Sequence, residues 1–103
     1  MSGGGRSGDK KPMKPMTLPP QLLKFKNLQI LHIEGLLESL PENIDSLQNL
    51  QFISIPHNPN MTSLPASLAN LPNLEVLNIR GNNIEIPPAL EEKWNNGEIV
   101  IVK

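Results

Sequence analysis

The 103-residue chain contains no cysteine and no tyrosine, and its aromatic residues are two Phe and one Trp. Without thiols there is no disulfide scaffold, no thiolate zinc site and no cysteine nucleophile. Aromatic side chains ordinarily dominate core energetics, so this interior must be filled in another way. No stretch reaches the roughly 18 apolar residues that a membrane span requires. The opening MSGGGRSGDKKPM has no apolar h-region, so no secretory signal is expected. Gly3 does not directly follow Met1, so the myristoylation pattern fails as well. A small soluble protein of one domain, in the cytoplasm, fits these exclusions.

What the chain does contain is 16 Leu and 10 Ile, with 11 Pro and 12 Asn. One residue type filling the core implies a regular cavity offered repeatedly, and Pro with Asn implies many tight turns. The net charge of −1 is unevenly spread. Residues 1–17 hold Arg6, Lys10, Lys11 and Lys14 against Asp9, a balance of +3, whereas residues 18–103 carry −4. The leader is too poor in apolar side chains to offset its ordering entropy, so residues 1–17 are expected to form a disordered basic tail. An acidic body argues against nucleic acid as the main partner.

Self-similarity organises the rest. The segment TLPPQLLKFKNLQILHI (residues 17–33) matches SLPASLANLPNLEVLNI (residues 63–79) without a gap, at an offset of 46. Between them lies SLPENIDSLQNLQFISI (residues 39–55), at offsets of 22 and 24. Each copy reads L-P-x-x-L-x-x-L-x-N-L-x-x-L-x-I, with Ile44 and Phe25 as apolar stand-ins. Over residues 17–96 the chain resembles leucine-rich repeats, whose period is about 20–29 residues. The Leu-Pro-x-x-Leu form is similar to repeats of plant immune receptors, Ras-binding scaffolds and injected bacterial effectors. If the chain is such an effector, its location is the host cytosol.

Spacing supports this without the family. Leu31 and Ile33, Ile53 and Ile55, and Leu77 and Ile79 are two apart and project from one face of a short strand. The Leu-Pro pairs at Leu40-Pro41 and Leu64-Pro65, with Ile86-Pro87 displaced, suit the start of a short helix or 3₁₀ turn. Ile44 with Leu47, and Leu68 with Leu71, then point inward. The expected architecture is an α/β solenoid: about four short parallel strands on the concave side, helical turns on the convex side. Its parts are a half repeat (18–27), repeats at 28–49, 50–73 and 74–96, and a C-terminal strand (97–103) of ambiguous register. The strand near residues 28–33 has no cap, so this edge offers a route to self-association or to further repeats. The longer helix from Pro87 is expected to stop at Asn95-Asn96-Gly97, with Trp94 as a lid on the leucine stack.

The resemblance further implies that Asn58 and Asn82 form a structural ladder, turning inward to hydrogen-bond backbone groups freed by the turn. An amide offers one acceptor and two donors for this purpose. Leu36 stands where the first such Asn would be, so the backbone there should be less regular. His57-Asn58-Pro59-Asn60-Met61 carries an insertion, closer to the plant and effector forms.

Catalytic signals are thin. His32 and His57 have no third partner at ligand spacing, so no metal is expected. Glu91 and Glu92 are adjacent and diverge on a helix, and Ser54 near His32 lacks a third group or oxyanion hole. Asn60-Met-Thr62 is a formal glycosylation sequon with no secretory context. Neither an enzyme nor a cofactor is indicated. Function is assigned instead to the concave strand face, as a surface for a protein or peptide: Ile30, His32 and Glu34; Phe52, Ser54, Pro56 and His57; Val76, Asn78 and Arg80. An apolar stripe with a polar rim is the usual anatomy of such a patch, and Phe52 and Arg80 are the expected anchors. The alternative is a block of a longer array with a structural or self-assembling role.

Overall fold

The computed structural model describes residues 16–103. Its strands are β1 (Met16–Thr17), β2 (Ile30–His32), β3 (Leu37–Ser39), β4 (Phe52–Ser54), β5 (Val76–Asn78) and β6 (Val100–Val102). Three 3₁₀ turns, Pro20–Lys24, Ile44–Ser46 and Ala66–Asn70, and one helix, α1 (Pro88–Asn95), make the returns. The main sheet is parallel with strand order β2-β4-β5-β6. Parallel strands need a crossover, and here each crossover is one coil of the solenoid.

The repeated prolines explain the returns. The carbonyls of Pro19, Pro41, Pro65 and Pro87 each accept from the N–H three residues on, at Leu22 (3.0 Å), Ile44 (3.1 Å), Leu68 (3.2 Å) and Leu90 (3.0 Å). Such i→i+3 closure is the 3₁₀ pattern, suited to short pieces. Only the last return continues as an α-helix; it stops where Asn96 caps it and Gly97 takes φ +78°.

Strand register stacks like on like. Leu31, Ile53, Leu77 and Ile101 are cross-strand partners and all are buried. Ile44, Leu47 and Leu50, then Leu68, Leu71 and Leu74, enter the same core from the convex side. Each such side chain removed from water contributes about 1.5–3 kcal/mol. Trp94 is half-buried against this core, as expected of a lid. The C-terminal strand is now resolved: Ile99 and Ile101 point in, while Val100 and Val102 point out.

Two expectations need correction. Thr17 was assigned to the tail, yet β1 pairs with β3, and the Met16 N–H donates to Leu36 O at 2.8 Å. Backbone hydrogen bonds need no apolar composition, which is why the leader's content misled there; the rest of the tail, residues 1–15, lies outside the described residues. Phe25, expected in the leucine stack beside its buried equivalents Leu47 and Leu71, is 61% exposed, because no earlier coil among the described residues covers it. The irregularity expected at Leu36 is present beside it as a register shift, Met16 pairing with Leu37 but Thr17 with Ser39.

A second parallel ladder runs beside the main sheet. Its pieces are β1 on β3 and the bridge from Ser63 to Glu85. Among the described residues it is interrupted between Ser39 and Ser63, where the insertion at residues 59–61 lengthens the second coil.

Candidate concave interface

Two outward columns cross the main sheet. Ile30, Phe52, Val76 and Val100 are register partners, as are His32, Ser54, Asn78 and Val102. Ile30 is 61% exposed, Val100 54% and Phe52 36%, with Val76 half-buried between its neighbours. The apolar column expected from three strands therefore runs over four. Val100 was missed because both faces of its strand are apolar, although its offset of 24 from Val76 marked the position.

The polar column is less open than expected. His32 is exposed, but Ser54 is buried at 3% and Asn78 is half-buried. The serine is too short to rise above its neighbours, and its Oγ accepts from Asn78 Nδ2 at 3.2 Å. Asn78 Oδ1 in turn accepts from the Arg80 N–H at 3.0 Å. This local network leaves the Arg80 side chain at the surface, with Glu34 also exposed one coil pair away. Pro56, between them in the repeat, is buried. Ser54 and Pro56 thus shape the floor of the face and offer a partner little surface.

His57 is exposed and adopts φ +53°, the left-handed region. Its repeat equivalents are Gly35 and Gly81, at φ +93° and +79°. A turn that demands positive φ thus uses glycine twice and histidine once, at a steric cost glycine avoids. The imidazole lies over Gly81, where any Cβ would collide with it. The His57 N–H donates to Arg80 O at 2.8 Å. His57 is consequently held at the rim beside Arg80.

Beneath the turn lies the asparagine ladder. Asn58 is fully buried; its Nδ2 donates to Ile55 O (2.8 Å), Ile33 O (3.1 Å) and Pro56 O (3.2 Å). Its Oδ1 accepts from the Leu37 N–H at 2.9 Å. Asn82 repeats the arrangement one coil later, accepting from the Asn58 N–H and donating to Ile55 O at 2.6 Å. A second ladder, whose role sequence reasoning missed, uses the Asn of each x-N-L: Asn49 Nδ2 donates to Lys26 O at 2.7 Å, and Asn73 Nδ2 to Gln48 O at 2.9 Å.

The leucine-rich repeat model described as two copies matches residues 48–91. Residues 48–91 carry leucine-rich repeats. The matched span covers the second coil and most of the third, including both ladder asparagines, and it stops short of the first coil, where Leu36 breaks the pattern. Among curated proteins, none matches the chain. Among the described residues, no group of three His, Asp or Glu is placed to hold a metal ion. No helix among them is long and apolar enough to cross a membrane.

Proposed function

We propose that this leucine-rich-repeat domain is a non-catalytic interaction module that binds a protein or peptide on its concave face. The observation that carries the reading is the exposed column Ile30, Phe52, Val76 and Val100, four apolar side chains in register on a rigid sheet. Water contact with a patch of this kind is unfavourable, and a partner that covers it gains the released apolar area. Arg80, His32, His57 and Glu34 supply a polar rim that selects among partners, with Ser54 and Asn78 fixing the floor. The acidic body disfavours nucleic acid, and the compartment we assign is the cytosol, or the host cytosol for a delivered effector.

The test is capture with the wild-type chain, with F52E/R80E, and with the convex-face control E42K. Partners retained by the wild type and the control but lost by F52E/R80E support the concave reading. Identical partners on all three contradict it, and leave the structural role within a longer array as the better reading.

A further inference from the structure

Basic side chains are not spread evenly over the coils. Across residues 28–82 the chain has one Arg, two His and no Lys. All three, Arg80, His32 and His57, are exposed, and all lie on the concave strands or the turns that leave them. The acids of the same span divide differently. Glu38, Glu42 and Asp45 lie on β3 or in the return after it, while Glu34 and Glu75 stay on the concave side. An acidic domain thus reserves the cations of these coils for the face that carries the apolar column.

Arg80 and His57 come from successive coils and are tied together, the His57 N–H donating to Arg80 O at 2.8 Å. Between Phe52 and this pair the floor is low, because Ser54 and Pro56 are both buried. At a strand's rise of about 3.3 Å per residue, the four steps from Val76 to Arg80 span at most about 13 Å. One short peptide segment bridges that distance.

His57 is the backbone outlier of this face. It holds φ +53° at a position the other coils fill with Gly35 and Gly81. Glycine satisfies the turn, so the fold itself has no need of an imidazole there. Strained residues of this kind persist where the surroundings over-determine them, and they concentrate at binding sites. Gly81 supplies the seat, since a Cβ on it would collide with the ring. The exposed imidazole is therefore placed beside Arg80 before any partner arrives, which lowers the ordering cost of binding.

We infer that the concave face, on the reading above that it is the interaction surface, takes an acidic and apolar peptide segment, with His57 as a specificity-determining residue. An Asp or Glu carboxylate of the partner is held by Arg80 and His57, while an apolar neighbour of that acid covers Phe52 and Val76. The guanidinium donates two parallel N–H bonds to a carboxylate, and the imidazole adds one further N–H donor. Glu34, the repeat equivalent of Arg80 two coils away, repels a second acid there and so orients the segment.

The test is selection of peptides on the immobilised full chain from a random linear phage-displayed library, then titration of each enriched peptide. Enriched peptides should pair an Asp or Glu with an apolar residue, and replacing that acid by its amide should weaken binding about tenfold. R80E should lose the acidic peptides and bind their acid-to-Lys versions, because the charge pair is then reversed. H57G should raise the melting temperature, since glycine suits positive φ, and yet bind the acidic peptides several-fold more weakly. A loss of binding in a more stable protein cannot come from misfolding. Peptides that need Phe52 but bind equally as acid and amide, or that bind H57G as tightly as wild type, overturn the acidic assignment and leave the concave reading standing. A selection that yields no peptide weakened by F52E overturns the concave reading and this inference with it.

Discussion

The first and second coils differ at one decisive position, Leu36 against Asn58, yet both contribute a strand to the main sheet, β2 and β4. The hydrogen bonds explain why. Asn58 serves Ile33 O and the Leu37 N–H, groups that belong to the coil before it. Asn82 likewise serves Asn58 and Ile55 in the second coil. A ladder asparagine therefore satisfies its predecessor's backbone as much as its own turn. Two rungs suffice for three coils, and the cost of a missing rung falls on the coil upstream of it.

The comparison can be broken most severely at the core that all the coils share. Leu77→Ala, at a fully buried position, should cost about 4 kcal/mol of unfolding free energy in urea titrations, through lost burial and a cavity. Asn58→Ala should come next, at about 3 kcal/mol, because several buried backbone groups lose their partner at once. Its signature distinguishes it from a core truncation: amide exchange should accelerate at Leu37, in the first coil, and not only around residue 58. Asn82→Ala removes fewer bonds from a half-buried site, so about 1–2 kcal/mol is expected, with the effect concentrated at Asn58. His57→Gly should stabilise by about 1 kcal/mol, read as a raised melting temperature, because glycine accepts positive φ without a Cβ penalty. Phe25→Ser, at the exposed end of the first half-coil, should change stability by less than about 0.5 kcal/mol.

These differences also mark how far the sequence can be read. The core was legible because Leu31, Ile53 and Leu77 recur at fixed offsets and two-residue periodicity assigns their face. The Asn58 and Asn82 rungs followed from the family resemblance, though not which coil each one serves. Ile99–Val102 was ambiguous because four apolar residues in a row erase the alternation that fixes register; only pairing with β5 resolved it. The exposure of Phe25 and the burial of Ser54 depend on neighbours from other coils, which a one-dimensional pattern does not contain. β1 escaped because it is held by backbone hydrogen bonds, and those leave no compositional trace.

The concave column set against the convex surface is the contrast on which function rests, and site-specific photo-crosslinking tests it most directly. A benzoylphenylalanine replacing Phe52 or Val100 on the concave side, or Asn43 on the convex side, reports which face a partner covers. The account predicts crosslinks to the same partner from positions 52 and 100 and none from position 43. Crosslinking from position 43 alone, or equally from all three, would contradict it.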